Sequence, residues 1–493
     1  MLMILHTEND NSLHYEMEKL AITFFPYEKT KVMNEGDPGA AEEMLFNKPL
    51  IEIFYKKGSG TVKAAYTDGP FQTAESEPVK EGENPELPAG RALYRVLSEV
   101  TGNFPKWGIL TGVRPAKIMM KRLEKTGVSD ALKYFTEELY VSPEKASLAA
   151  EVAESERRII ETSDEKGYSL YISIPFCPGR CVYCSFVSQA IGTPSARKLL
   201  PEYFEKLLID IEETGKIAEK TGLILRSVYI GGGTPSILSE EQIKRLLLKI
   251  KTSFDLSECT EFTFEAGRPD TLTEGKLKAI HEGGPDRISI NPQTMTDSIL
   301  EAMGRTHTSE DIVKVFGEAR KIGIENINMD LIAGLPGDTP ENFRRSLEEV
   351  LALCPESITV HTLASKRSAS LEPTEELFLK GEMTSEMVDT ADELLYNSGY
   401  VPYYMYRQAR SVGNLENVGW CRPGFESRYN VYMMEECHSI FACGAGAVTK
   451  LVKPGSTRIN RIFGCKYPKE YIERFNTLLQ KKQAILNWMD VKA

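Results

Sequence analysis

The sequence predicts an α/β protein built around a parallel sheet, with a small mixed unit and a helical stretch ahead of it and further chain behind. Three observations point there. From about residue 165, short apolar runs alternate six times with amphipathic helical patterns, which is the mark of strands joined by helical crossovers. A C-x3-C-x2-C loop directly follows the first of these runs, and the triplet Gly231-Gly232-Gly233 follows the second. Open parallel sheets gather their chemistry just beyond the carboxyl ends of the strands, which is where both motifs fall.

At 493 residues the chain exceeds one ordinary core and implies two or three domains. With 41% apolar and 26% charged residues it has globular rather than disordered composition. A formal net charge of -12 argues against sequence-blind binding of a nucleic-acid backbone, while leaving room for a local basic pocket. No apolar run approaches the roughly 20 residues of a membrane span. The apolar start Met1-Leu2-Met3-Ile4-Leu5 is short and lacks the basic lead of a signal peptide, and nine cysteines are too few for a disulfide scaffold. The expected location is therefore the cytoplasm, a reducing compartment.

Taken in order, residues 1–75 read as a small mixed α/β unit, with a strand at 3–6, a helix at 13–25, and strands 50–55 and 62–66 paired across Lys57-Gly58-Ser59-Gly60. The polar, proline-dotted stretch 70–88 reads as a loop or linker. Residues 90–162 read as a helical region: Leu93, Val96, Leu97 and Val100 recur at i, i+3, i+4 and i+7. The run from Trp107 to Pro115 breaks the chain before a helix that starts near Ala116. Arg114, in that break, is either a functional residue or a structural salt bridge or helix-end contact.

In the segment 165–370, strands are expected at 169–174, 227–230, 261–265, 287–290, 326–329 and 357–360. The intervening helices are expected at 203–218, 241–250, 272–280, 298–303, 312–321 and 341–351. Ser239 with Gln242 three residues on forms a capping box, and Thr339 caps a helix whose first position is Pro340. Beyond 370 the periodicity weakens. A helix at 375–396, a short strand at 401–407 and a terminal helix at 467–485 read as a separate C-terminal cap domain over 371–493.

Cys177, Cys181 and Cys184 place three thiolates within eight residues, enough to reach one soft metal centre. A tetrahedral zinc site wants a fourth ligand that the sequence does not supply at such a spacing. A [4Fe-4S] cube on three cysteines instead leaves one iron open to a small chelating ligand, whereas the usual electron-transfer cluster has every iron capped by protein. A distorted zinc knuckle and three unligated thiols are the other readings. Cys421, Cys437, Cys443 and Cys465 raise the question of a second metal site. Their gaps of 15, 5 and 21 residues match no standard pattern, and free cysteines are commonly just buried.

The loop Ile174-Pro175-Phe176-Cys177 to Cys184, the run Gly231-Gly232-Gly233-Thr234-Pro235-Ser236 and the run Asn328-Met329-Asp330-Leu331-Ile332-Ala333-Gly334-Leu335-Pro336-Gly337, in that order, resemble the radical S-adenosylmethionine (SAM) superfamily. More narrowly they resemble its oxygen-independent coproporphyrinogen III oxidase group, over about residue 165 to the C-terminus. The N-terminal extension and the stretch His361 to Ser368 resemble the coproporphyrinogen dehydrogenase branch of Gram-positive bacteria. The resemblance implies a partial (β/α)6 radical SAM barrel, a [4Fe-4S] cluster on Cys177, Cys181 and Cys184, and SAM bound at the fourth iron. Reductive cleavage of SAM there would yield methionine and a 5'-deoxyadenosyl radical.

SAM contacts implied by the resemblance are Glu265, Gln293, Arg305, Asp330 and Ile332, together with Gly231, Gly232, Gly233 and Thr234 through close backbone approach. Glu265 and Asp330 can accept from hydroxyl or ammonium groups, and Arg305 can pair with a carboxylate. The alternatives are a partner elsewhere on the barrel rim for each charged residue, a plain turn for the triplet, and ordinary core packing for Ile332, Tyr171 and Phe176. Tyr171 and Phe176 flank the cluster loop as aromatic contacts to methionine or adenine. The implied reaction converts two propionates of a tetrapyrrole substrate, coproporphyrinogen III, to vinyl groups with an unidentified electron donor and acceptor. A tetracarboxylate needs positive partners, for which Lys366, Arg367, Arg407 and Arg410 are candidates, or a solvated patch. One departure is Phe186, which stands where the best-known bacterial oxidases of the group carry a fourth cysteine. Related haem-chaperone proteins lack that cysteine too, so a haem carrier is the alternative, alongside another radical SAM reaction on a tetrapyrrole.

Overall fold

The computed structural model describes residues 1–7, 12–28, 30–46, 49–163, 165–366, 369–371, 374, 381–453 and 458–489. The chain forms two compact units: one of 1–153, 373–385 and 405–416, the other of 154–372, 386–404 and 417–493.

The first unit contains a five-stranded sheet of β1 (Leu2–Thr7), β2 (Lys31–Asn34), β3 (Leu50–Tyr55), β4 (Thr61–Asp68) and β5 (Phe71–Pro78), in the order β2-β1-β3-β4-β5. β1 runs parallel to β2 and β3, and β3-β4-β5 form an antiparallel meander. Alternate residues of β1 and β3 serve two layers. Met3, Leu5, Ile51 and Ile53 pack with Leu13 and Leu20 of α1 (Ser12–Phe24), while Leu2, Ile4 and Leu50 pack with Ala40 of α2 (Ala40–Phe46). The apolar stripe read at Leu93, Val96 and Leu97 lies on α3 (Glu86–Thr101), in the same core as Met3 and Ile51. Gly102, at φ 67°, ends that helix in the left-handed conformation.

The stretch 70–88, expected as a loop, is corrected by β5. Its polar alternation carries no apolar signal, because the strand is held by charge: Arg91 Nε of α3 meets Glu77 Oε2 at 3.0 Å, and Arg95 Nε meets Glu75 Oε2 at 3.2 Å. The helical region that follows includes α4 (Pro115–Thr126), α5 (Val128–Lys133) and α6 (Pro143–Glu161). Arg114 is the residue ahead of α4, with Pro115 at the first helical position.

In the second unit, β6 (Gly167–Ile174), β9 (Ile224–Gly232), β10 (Glu261–Gly267), β11 (Arg287–Ile290), β12 (Asn326–Ala333) and β13 (Ser357–Thr362) pair in parallel in that order. The short pair β7 (Phe176–Cys177) and β8 (Gln189–Ala190) stands apart from that sheet. The connecting helices are α7 (Pro194–Thr221), α8 (Glu240–Ser253), α9 (Glu274–Gly283), α10 (Asp297–Ala302), α11 (Ser309–Ile322) and α12 (Pro340–Leu353). The Ser239 capping box is formed, and the Thr339 side chain accepts from Asn342 N. Six parallel strands joined by five helical crossovers, with α10 and α11 sharing one, thus form the partial radical SAM barrel.

The segment expected as a separate cap adds β14 (Val401–Arg407), β15 (Glu416–Cys421), β16 (Ser439–Cys443), β17 (Val448–Val452) and β18 (Ile459–Phe463) to this sheet. β16 lies parallel beside β6, and β15 antiparallel beside β13. Both flanks of the six-stranded run are therefore covered rather than left open. The terminal helix expected at 467–485 is divided into Pro468–Glu473, Phe475–Lys482 and Ala484–Trp488. Residues 375–380 of the helix expected from 375 lie outside the described residues, and the helix there is Gly381–Asn397. Among the described residues no helix is long and apolar enough to cross a membrane.

Candidate functional site

The strands of the barrel alternate in character. Leu170, Ile172, Val228, Ile230, Phe264, Ile288, Met329 and Ile358 are buried on one set of positions, while the intervening positions carry Ser169, Tyr171, Ser227, Tyr229, Thr263, Asn328 and Thr359. A parallel sheet covered by apolar layers on both faces would read as continuous hydrophobic strands. Here the polar set forms its own network: Ser169 Oγ lies 2.6 Å from Ser227 Oγ, and Thr359 donates to Asn328 Oδ1 at 3.2 Å.

Toward the carboxyl ends this face becomes acidic and aromatic. Tyr229 donates its hydroxyl to Glu265 Oε1 at 2.7 Å. Its ring stacks on that of Tyr429 at 4.4 Å between centroids, and Tyr171 lies 6.3 Å from both. Burial pushes the Glu265 carboxyl up to about 7; the Tyr229 hydrogen bond opposes this and the Asp330 charge adds to it. Burial also pushes Asp330 up, but His361, Asn328 and Thr359 outweigh it and hold that carboxyl below its ordinary value. Asn328 Nδ2 reaches Asp330 Oδ1 at 2.7 Å, and His361 Nε2 stands 3.8 Å from Oδ2. The structure thus places Glu265 and Asp330 in one half-buried group with Tyr171.

Gln293 contributes here through its backbone. It holds φ 70°, donates its N–H to Asp330 O at 2.8 Å and accepts from Ile332 N at 2.9 Å, so it bridges to β12 in a conformation unusual for a side-chain-bearing residue. Ile332 is buried.

The glycine triplet is packed against the start of the cysteine loop. Gly233 N–H donates to Ile174 O at 2.9 Å and Thr234 N–H to Phe176 O at 2.8 Å. A Cβ at Gly233 would stand 2.5 Å from Phe176 O, one at Gly232 2.7 Å from Ser173 Oγ, and one at Gly231 2.6 Å from Glu265 Oε2. The absence of side chains therefore brings the loop backbone and Glu265 close to β9. Phe176 is fully buried, edge-on to Tyr203 at 5.2 Å.

The loop itself is fastened at its middle. Val182 N–H donates to Met303 O at 3.2 Å, Cys184 N–H to Cys181 O at 3.1 Å, and Leu371 N–H to Val182 O at 2.9 Å. Cys181 is buried and Cys177 and Cys184 half-buried. Burial pushes the Cys177 and Cys184 thiols up, and the neighbouring cysteines push them further. Arg305 Nη1 lies 3.9 Å from Cys181 Sγ and 3.2 Å from Tyr183 Oη, with Nη2 donating to Asn291 O at 2.6 Å. Arg268, which the sequence reading missed, points Nη1 at the same sulfur from 4.0 Å. Its position directly after β10, at the carboxyl edge, was the available signal.

Among the described residues, no three His, Cys, Asp or Glu side chains close on a single ion. A cube places its three thiolates on three different irons, so the sulfurs need not converge as ligands of one ion do. The donor set suits such a cluster: three thiols near enough to feel one another's charge, and two guanidinium groups against the buried sulfur. The late cysteines form no such group. Cys443 is buried in contact with Thr214 Oγ1 at 3.3 Å and Lys482 Nζ at 3.7 Å. The nearby Gly444-Ala445 turn is held by protein, Gly444 N–H on Asp210 Oδ2 and Ala445 N–H on Tyr203 Oη, both at 3.0 Å.

The four proposed substrate cations are placed differently from one another. Lys366 is exposed after β13, near enough to Cys184 to feel its charge. Arg367 lies outside the described residues. Arg407 and Arg410 belong to the first unit. Arg407 is buried there, donating to Leu110 O at 2.5 Å and Asn414 O at 3.1 Å and lying over the Trp107 ring, so its guanidinium is engaged by protein. Arg410 is exposed, with φ 63°. Phe186, in place of a fourth cysteine, is 66% exposed, so its ring fills no core position.

Residues 171–350 match the Radical SAM superfamily. The chain is 37% identical over 492 residues to the oxygen-independent coproporphyrinogen-III oxidase-like protein HemZ of Bacillus subtilis (strain 168), across 96% of this chain and 95% of that one. It is 35% identical over 284 residues to the heme chaperone HemW of the same organism, across 57% of this chain and 70% of the other. The coproporphyrinogen III oxidase HemN from Escherichia coli shares the fold, at a TM-score of 0.52 and 22% identity over 66% of this chain and 73% of that one. With its six parallel strands and its cysteine loop at their carboxyl edge, the chain belongs to the radical SAM superfamily as a SAM-dependent radical enzyme of the oxygen-independent coproporphyrinogen-III oxidase-like branch.

Proposed function

We propose that this protein is a cytoplasmic coproporphyrinogen III dehydrogenase, which oxidatively decarboxylates two propionates of its tetrapyrrole substrate to vinyl groups, giving protoporphyrinogen IX. The observation that carries the reading is the likeness to the HemZ oxidase-like protein along nearly the whole chain, first unit included. In this reading Cys177, Cys181 and Cys184 hold a [4Fe-4S] cluster, and Gly231, Gly232, Gly233, Thr234, Glu265, Gln293, Arg305, Asp330 and Ile332 line the SAM site.

When bound, the cluster and SAM supply a carbon radical able to take a hydrogen atom from a propionate. The protein's own residues provide placement. Asp330, kept ionised by His361 and Asn328, can accept from an ammonium or hydroxyl group. Glu265 is presented beside the glycine triplet with one oxygen already occupied by Tyr229. The buried Tyr429 ring stacks on Tyr229 and so fixes the phenol that holds Glu265. Lys366 and Arg367, after β13, and the exposed Arg410 remain candidates for the substrate carboxylates, and electrons enter and leave through a donor and an acceptor of unassigned identity.

A second reading, a haem carrier, is favoured by the match to the heme chaperone HemW and by Phe186. Anaerobic incubation with coproporphyrinogen III, SAM and a reductant, followed by mass spectrometry, separates the two. Loss of two carbon dioxide units with matched methionine release supports the dehydrogenase. Full recovery of substrate, with stable haem binding, rejects it.

A further inference from the structure

We infer that Arg268 is an electrostatic tuning residue of the iron–sulfur centre, raising its reduction potential through the Cys181 sulfur. The inference rests on the radical SAM reading but not on the identity of the substrate.

Arg268 follows β10, where Gly267 turns the chain at φ 68°, and it is 4% exposed. Its guanidinium is divided between two tasks. Nε and Nη2 grip the two oxygens of Asp270 at 3.0 and 2.7 Å, while Nη1 is left facing Cys181 Sγ at 4.0 Å. Thr306 fixes the pair from the far side, accepting from Arg268 Nη2 at 3.2 Å and donating to Asp270 Oδ2 at 2.7 Å. Burial pushes the Asp270 carboxyl up, but His307, Arg268 and Thr306 outweigh it and hold it well below its usual range, so the brace is an ion pair. The same carboxylate lies 3.7 Å from His307 Nδ1, and His307 Nε2 is 3.4 Å from Arg305 Nε. Asp270 thus sits behind both guanidinium groups that face one sulfur.

Reducing a buried cluster adds negative charge where water cannot spread it, and N–H groups aimed at the ligand sulfur stabilise the reduced form. A rigid bidentate brace fixes that orientation in a way that a lysine on a flexible stem reproduces only in charge. Because Asp270 sits behind Arg268, its negative charge partly offsets the guanidinium. Removing each partner should therefore move the potential in opposite directions.

The test is an EPR-monitored redox titration of the reconstituted protein without SAM or substrate. Arg268→Gln is expected to give a more negative midpoint at unchanged iron content, with Arg268→Lys between it and the parent. Asp270→Asn, which keeps the guanidinium, is expected to give a more positive midpoint, and it decides the matter if Arg268→Gln loads no iron. Equal midpoints in parent and Arg268→Gln, or an unmoved or more negative midpoint in Asp270→Asn, would overturn the inference. Failure of coproporphyrinogen turnover would leave it standing, since the titration contains no substrate.

Discussion

Tyr229 donates its phenol to Glu265 within a stack of three tyrosines, and that bond joins the polar face of the barrel to the glycine triplet. Glu265 is consequently both a candidate SAM contact and a half-buried carboxyl whose proton affinity depends on its neighbours.

Its titration predicts a pH dependence with a definite sign. Glu265 is raised from 4.5 to about 7 in the native protein. Below the lower value it is protonated in both states and contributes no difference. As pH rises toward 7 the unfolded carboxyl ionises first, so native stability falls, and the loss is complete above 7. Glu265→Gln, which cannot ionise, should gain on the parent by on the order of 2–3 kcal/mol between pH 5 and pH 8. Urea denaturation at the two pH values measures it, and a constant difference would contradict the buried assignment.

Gly233→Ala places a methyl group against the loop backbone, 2.5 Å from Phe176 O and 2.9 Å from both Ile174 O and Phe176 N. Neither strand can yield cheaply, so a loss of about 1–3 kcal/mol is expected, with reduced iron per chain after reconstitution. Gly112→Ala meets nothing within 4 Å and serves as control. Thermal melting and iron analysis read both variants.

In the first unit, Glu416 is buried between Lys145 Nζ at 2.6 Å and Trp107 Nε1, also at 2.6 Å. Lys145→Met strands the carboxylate, at a cost of about 3–5 kcal/mol. Adding Glu416→Gln should recover part of it, because the uncompensated charge is then gone. Chemical denaturation of the single and double variants measures the coupling.

Much of the barrel was legible in the sequence because each of its six units repeats one local pattern. A β-rich run is followed by a cap such as Ser239 or Thr339 and an amphipathic helix, and none of these needs a distant partner to be recognised. β14 was read at its observed bounds, but β15 to β18 and the first unit's β5 were not legible, for the opposite reason. β16 is defined by pairing with β6 across more than half the chain, and β5 by arginines on α3 rather than by apolar residues. The cysteine loop announced itself by spacing. Arg268 did not, since a single arginine after a strand has no pattern. Arg407 was misleading: a basic residue among Tyr403, Tyr404 and Tyr406 looks like a ligand patch until its guanidinium is found on Leu110 O and the Trp107 ring. The alternation of Ser169, Tyr171 and Ser173 with Leu170, Ile172 and Ile174 was available as a sign of a polar barrel interior.

SAM cleavage by this protein requires a cluster iron left open for SAM at the Cys177, Cys181 and Cys184 loop. EPR of the anaerobically reconstituted, reduced protein with and without SAM addresses it directly. The expected result is a [4Fe-4S] signal that changes on adding SAM and is lost in Cys181→Ala. Zinc in place of iron, or a cluster signal indifferent to SAM, would contradict it.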